Sequence, residues 1–470
     1  MYSWVQLSHI ALWSGGGFSP PTAVDFPVIT ISTDTRELRG GEVFAALRGD
    51  NFDGHNFIAE AIRLGAKAII AEKPVIASVP VIIVADTLTA LVNIGSQLRK
   101  HFAGPVFAIT GSAGKSSTKE MLSCLLGPQT VTAPASYNNL LGVSKTLGLI
   151  NSQTSALVLE IGMNAEGEIK EICSHFTPTA GLITNIGDAH IGKLGGKEGI
   201  FRAKKELFDF LATRSDAAST HIAVNTGDPL VERAYRETFK DKKVPTITYS
   251  ANPSVAADVR ILEKQLDPQR GFLHVRLQAF DEVVTFRGAI FGLHHAQNLV
   301  AAVAAALSLG KTLTEISNRF AMIRPARHRG EVIELSEGRV LIDESYNSNP
   351  SALHSAIESL AALDSTRHKL VVVGDMLEMG SFSTDVHQEM GKSLASLLTG
   401  QPYTLVAVGK EVKALVQGLM SAQPSAKCLT FASAKDALSS VRSLFVAQSF
   451  CLIKGSRGVQ LDRLVEGLIQ

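Results

Sequence analysis

Glycine, lysine and serine spaced as Thr110-Gly-Ser-Ala-Gly-Lys-Ser116 suit one chemistry, the gripping of a nucleotide polyphosphate. Small residues let a backbone curl so that several N–H groups face phosphate oxygens, and a following helix adds its positive N-terminal end. Lys115 would then neutralise the β- and γ-phosphates, and the Ser116 hydroxyl would hold Mg²⁺. The usual G-x-x-x-x-G-K-[ST] spacing asks for glycine at position 109, where this chain has Ile109. The loop is therefore a shortened variant, T-G-x-x-G-K-S.

Other residues could serve those phosphates. Glu160 ends an apolar run, Ala156-Leu-Val-Leu-Glu160, where an acid can ligate Mg²⁺ or cap a neighbouring helix. His190, in Thr184-Asn-Ile-Gly-Asp-Ala-His190, could be a metal ligand, a phosphate contact or a structural residue. Lys204, in Phe201-Arg-Ala-Lys-Lys-Glu-Leu-Phe208, lies on an amphipathic pattern and by itself reads as part of a solvated charged face. Two later segments carry further polar groups. Asp343-Glu-Ser-Tyr-Asn-Ser-Asn-Pro350 suits a ribose and a base, or is an Asn/Pro turn with an exposed acid pair. Lys454-Gly-Ser-Arg457 could bind a carboxylate or be a polar turn.

Strands and helices must bring these groups together. Residues 28–32, 43–47, 68–71 and 81–84 read as strands, and 57–64 and 88–102 as helices, before a Gly104-Pro105 joint. Residues 106–110, 155–161 and 180–185 read as strands alternating with helices, which implies a parallel sheet with ligands at the strands' carboxyl ends. Residues 255–291 read as an antiparallel meander and 298–309 as an alanine-rich helix. A break near Arg324-Pro-Ala-Arg-His-Arg-Gly330 precedes strands at 339–342, 369–373, 404–408, 428–431 and 450–453, each separated by a helical stretch. The expectation is an α/β protein of three domains, 1–103, 104–326 and 327–470.

At 470 residues the chain exceeds a single core. A formal net charge of +1 gives no global attraction to nucleic acid or an anionic membrane. Cys124, Cys173, Cys428 and Cys451 lie far apart in apolar runs and read as buried, reduced thiols. With no basic leader before an apolar run and no membrane-length apolar segment, the expected location is the cytoplasm.

In this order the motifs resemble those of the Mur ligases, the ATP-dependent amide-bond ligases of bacterial peptidoglycan synthesis. The loop resembles the family's T-G-[ST]-x-G-K-[ST], residues 156–164 its E-x-G-x-N, and Asn185 to His190 its N-x-x-x-A-H. Gly292-Leu-His-His-Ala-Gln-Asn298 resembles G-x-H-N-x-x-N, and Ser136-Tyr-Asn-Asn-Leu-Leu-Gly142 resembles a substrate-facing N-N-x-I-G. Asp343 to Pro350 and Gly374-Asp-Met-Leu-Glu-Met-Gly380 are of the kind found where D-alanyl-D-alanine is joined to UDP-N-acetylmuramoyl-tripeptide.

The resemblance implies an N-terminal UDP-substrate-binding domain, a central P-loop ATPase domain and a C-terminal Rossmann-like domain that binds the dipeptide and closes on ATP. ATP and Mg²⁺ are implied, with an acyl-phosphate intermediate, a monomer as the working unit and no nucleic-acid partner or membrane insertion. It implies Lys115, His190 and Lys204 as catalytic. Thr110, Gly111, Ser112, Ala113, Gly114, Lys115, Ser116, Ser117, Asn298, Arg329, Glu344, Tyr346 and Asn347 would bind ATP. Ser116, Glu160, His190 and a carbamylated Lys204 would hold metal. Thr35, Arg36, Asp53, His55, Asn138, Asn139, Lys454, Ser456 and Arg457 would meet the other substrates. Departures from the pattern are His295 for an asparagine, Glu344 for an aspartate and Ser144 for a proline. Alternatives are a folylpolyglutamate synthase-type ligase, which shares the shortened loop, and a P-loop ATPase switch.

Overall fold

A computed structural model describes every residue except 22, 23, 50, 51, 135, 188–193, 378 and 470. The chain divides into two compact units, Met1–Tyr249 with Ala301–Lys311, and Ser250–Val300 with Thr312–Gln470.

The first unit holds two sheets. One has Gly17–Phe18, Val81–Ile83, Ala68–Ala71, Val43–Ala45 and Ile31–Ser32 side by side, parallel except for the first. The helices Leu7–Ser14 and Thr87–Lys100 pack together and bury Leu7, Ile10, Leu91, Ile94 and Leu98 with Val43, Ile70 and Ile82 of this sheet. The second runs Thr130–Thr132, Ala156–Glu160, Val106–Thr110, Ala180–Ile183, His221–Asn225 and Thr246–Ser250, all parallel. Every residue of Val106–Thr110 and Ala156–Glu160 is buried, as strands covered by helices on both faces must be.

The order of that sheet positions the chemistry. The phosphate-loop strand is central, with Ala156–Glu160 on one side and Ala180–Ile183 on the other. Register pairs Glu160 with Ile109 and Ile183 with Thr110. The loop, Glu160 and the residues after Ile183 therefore leave the sheet at neighbouring carboxyl ends.

In the second unit, Val259–Leu266, Leu273–Ala279 and Glu282–Gly288 form the expected antiparallel meander. A six-stranded sheet runs Glu331–Glu334, Val340–Glu344, Phe450–Lys454, Lys369–Gly374, Tyr403–Val408 and Lys427–Phe431, parallel after an antiparallel first pair. Asn349 caps the helix Pro350–Ala361 by accepting from Ala352 N–H at 2.8 Å, and Pro350 fits the first turn, where no N–H partner is needed. Asp343 and Glu344 are 1% and 7% exposed, so the reading of an exposed acid pair is corrected.

None of the four cysteines is in a disulfide; Cys173 and Cys451 are buried as expected, while Cys124 and Cys428 are half-buried. Among the described residues no helix is long and apolar enough to cross a membrane.

Candidate active site

Two glycines shape the loop. A Cβ on Gly111 would stand 1.8 Å from Thr184 Oγ1, so no side chain fits. Gly114, at φ +82°, turns the chain into the helix Lys115–Leu126 and supplies no capping side chain. The positive end of the helix dipole thus points at the loop with no N-cap side chain in front of it. Residues beyond Ile183 lace the loop in place. Thr184 Oγ1 donates to Ala113 O at 2.6 Å, Ala113 N–H donates to Asn185 Oδ1 at 2.9 Å, and Ser112 N–H donates to Asn185 O at 3.0 Å. Lys115 Nζ curls back to Gly111 O at 2.7 Å, and Ser116 Oγ lies 3.0 Å from Ser136 Oγ. Thr110 and Ser117 are buried beside them.

Glu160 is 2% exposed; its Oε1 accepts from Asn138 Nδ2 at 3.0 Å, while its Oε2 is buried with no hydrogen-bond partner. The acid caps no helix. A buried carboxylate oxygen left open at a strand end paired with the loop strand is a hard oxygen donor, which fits Mg²⁺.

Lys204 corrects the solvated-face reading, for it is only 2% exposed. On the helix Lys197–Ala212 it shares the inward face with Ile200, Ala203, Leu207, Phe208 and Leu211. Burial first, and then the charge of Lys115, pulls its amine down to about 7. Lys205 points the other way and pairs with Asp209 at 2.5 Å. His190 lies outside the described residues.

In the second unit, Lys454 Nζ and Glu344 Oε2 form a buried pair at 2.9 Å, on strand ends that register aligns. Lys454 Nζ also donates to Asn347 O at 3.2 Å. Tyr346 is faced by two guanidinium groups, Arg329 at 4.0 Å and Arg457 at 5.5 Å from its ring centre. Ser456 Oγ donates to Ser348 O at 3.3 Å and accepts from Leu377 N–H at 2.9 Å. Asn298 is buried, its side-chain nitrogen 3.3 Å from His295 Nδ1.

Comparison with known proteins bears on this arrangement. Residues 28–97 match the model of the Mur ligase family, catalytic domain; residues 109–306 match the Mur ligase middle domain; residues 328–457 match the Mur ligase, glutamate ligase domain. A Synechocystis protein named UDP-N-acetylmuramoyl-tripeptide–D-alanyl-D-alanine ligase is 31% identical over 451 residues, covering 95% of this chain and 93% of its own. The chain belongs to the Mur ligase family.

A Bacillus subtilis member of the same name is 29% identical and matches 99% of this chain and 98% of its own. A crystal structure of MurF from Acinetobacter baumannii superposes with a TM-score of 0.84 at 30% identity, covering 98% of this chain and 97% of that one.

The remaining predicted residues of this Mur ligase sit in the first unit. Asn139 caps the helix Leu140–Leu147 by accepting from Gly142 N–H at 2.9 Å, which places Asn138 beside Glu160. Arg36 grips Asp34 at 2.6 Å with its side chain exposed, and Thr35 lies in the same turn. Both ring nitrogens of His55 are engaged, Nδ1 with Asp53 Oδ1 at 2.6 Å and Nε2 accepting from Glu72 N–H at 2.9 Å. The Asp53 carboxyl is held below its usual range, first by the His55 backbone N–H and then by its ring. The structure therefore brings together the loop, Glu160 and Asn138, couples Lys204 electrically to Lys115, and gathers Glu344, Tyr346, Asn347, Arg457 and Lys454 in a second cluster. Thr184 and Ser136 were not singled out from sequence, and Asn185 was named only as the start of the N-x-x-x-A-H pattern. Thr184 and Asn185 immediately follow a parallel strand next to the loop strand, and that position was the available signal.

Proposed function

We propose that this chain is the ATP-dependent ligase that joins D-alanyl-D-alanine to UDP-N-acetylmuramoyl-tripeptide in the cytoplasm. The observation that carries the reading is its whole-length likeness to relatives of that one name, the Synechocystis protein at 31% identity among them. In this reaction the tripeptide's terminal carboxylate takes the γ-phosphoryl group of ATP, giving ADP and an acyl phosphate. The free amine of D-alanyl-D-alanine then attacks the acyl carbon; phosphate leaves with the C–O bond, and the amine's proton passes to solvent or base.

The roles follow from the local chemistry. The loop Thr110–Ser117 cradles the triphosphate, and Lys115 offsets its charge. Ser116 and Glu160 are the residues that would hold Mg²⁺, which when bound supplies further neutralisation of phosphate charge. Lowering the Lys204 amine to about 7 gives it a substantial neutral fraction near neutral pH, the form that attacks CO₂. A new N–C bond and a released proton would give a carbamate at Lys204, turning its repulsion from Lys115 into attraction. His190 is assigned with it. Asn298, Glu344, Tyr346 and Asn347 are assigned to adenine and ribose, and Arg329 to phosphate. Thr35, Arg36, Asp53, His55, Asn138 and Asn139 are assigned to the UDP-linked substrate, and Lys454, Ser456 and Arg457 to the dipeptide carboxylate. The domain spans 1–103, 104–326 and 327–470 go with those roles. Phosphate release measured with both substrates, and with each omitted, tests the function: release independent of both would identify an ATPase instead.

A further inference from the structure

The start of the helix His295–Ser308 and the end of the strand Val340–Glu344 hold a second group of potential ligands. His294, His295 and Glu344 offer one ligand atom each, all within 4.8 Å of one another. Two of these residues carry buried polar atoms with no hydrogen bond within 3.5 Å, His295 Nε2 and Glu344 Oε1, in residues 2% and 7% exposed; the backbone of Arg329 is the nearest competitor for the His295 ring. Both border one small space beside the Phe291 carbonyl, because a Cβ built on Gly330 would stand 2.5 Å from Phe291 O, 2.9 Å from Nε2 and 3.2 Å from Oε1. Gly330, at φ +82°, keeps that space open. The other atoms of the two residues are committed, Glu344 Oε2 to Lys454 and His295 Nδ1 to the Asn298 side chain. Exposed His294 flanks the space from solvent, its ring centre 4.2 Å from that of His295.

We propose that His294, His295 and Glu344 form a site for one divalent transition-metal ion of the zinc class. Two imidazoles and a carboxylate select zinc, cobalt or nickel over magnesium, which prefers oxygen donors throughout. Burial keeps His295 neutral, the form that ligates. Ligation through Nε2 puts the ring proton on Nδ1 and requires the Asn298 amide, whose nitrogen faces Nδ1 in the structure, to turn its oxygen there, the orientation that metal-bound histidines commonly have. Three protein ligands leave a solvent-side position for water. Lys454 on the far oxygen of Glu344 reduces the attraction for a cation, so the affinity falls below that of a closed structural zinc site. Because Glu344 is also assigned to the nucleotide, metal and nucleotide would exclude one another there.

Tag-free, full-length protein without nucleotide is titrated with Co²⁺ and followed by visible absorption. The expected result is a d–d band that saturates at one Co²⁺ per chain and is displaced by Zn²⁺. In His294→Gln and His295→Asn the affinity should fall about tenfold or more. His294 is exposed, so its variant carries the test if the buried substitution fails to fold. No band in the unaltered protein, or one of equal affinity in folded His294→Gln, overturns the proposal and leaves the two atoms to a bridging water. The readout is independent of ligase activity.

Discussion

Asn138 donates a 3.0 Å hydrogen bond to one oxygen of Glu160 and leaves the other oxygen buried and unanswered. A residue assigned to the UDP-linked substrate thereby positions a residue assigned to Mg²⁺. Asn138→Ala should cost about 1–3 kcal/mol, because it strands a second oxygen of a buried acid. Thermal melting with and without Mg²⁺ checks this: the loss should shrink when Mg²⁺ is added. An equal loss in both conditions would show that no metal reaches Glu160.

Lys204 and Lys205 are neighbours in sequence with opposite fates. Lys204→Ala should abolish ligase activity, and added bicarbonate should not restore it. Lys205→Ala removes a surface pair with Asp209, of the kind worth about 0.3–0.5 kcal/mol, and should leave turnover nearly intact. Steady-state rates of the two variants decide the matter, and the reverse pattern would reassign the residue.

The Lys204 amine also predicts a pH dependence. Its pKa falls from 10.5 to about 7 on folding, chiefly through burial. Between those values the unfolded chain holds a proton that the native chain has released, so Lys204 makes stability rise with pH across the window. Below about 7 both states are protonated and the burial penalty is fully present. Denaturant melts in CO₂-free, Mg²⁺-free buffer should show a steeper rise with pH for the unaltered protein than for Lys204→Met.

Gly111 is fixed by its neighbour. Gly111→Ala would put a methyl group 1.8 Å from Thr184 Oγ1 and should abolish ATP binding. Adding Thr184→Ala removes the nearest atom and should recover part of the binding in equilibrium titrations. Without any recovery, the loss would lie in the backbone at φ +151°.

The Glu344–Lys454 pair is buried on both sides. Lys454→Met alone leaves an unpaired acid and should cost about 3–5 kcal/mol, while Lys454→Met with Glu344→Leu should recover most of it. Urea unfolding of the two variants measures the difference.

Much of this was legible from residue types. The loop strand, Val106–Thr110, lies where its apolar run ends in small residues, and the parallel strands of the last domain lie within a residue or two of their apolar runs. His221–Asn225 and Thr246–Ser250 were not picked out, because each is short and mixes polar with apolar residues. The edge strand Glu331–Glu334 was not picked out; it lies directly after the segment that reads as a joint and is bounded by two acids. Lys204 is the instructive case. Its charge suggested solvent, yet its spacing from Ile200 and Phe208, four residues either way, places it on the buried stripe. The pairings of Asn138 with Glu160 and of Thr184 with the loop depend on strand order, which no local pattern encodes.

The most direct measurement is a mass spectrum of the nucleotide-linked product after incubation with ATP, Mg²⁺, UDP-N-acetylmuramoyl-tripeptide and D-alanyl-D-alanine. The account predicts a product heavier than the tripeptide substrate by one dipeptide less one water, with one ADP formed per bond. ADP formed without that gain in mass, or the same gain without ATP, would contradict it.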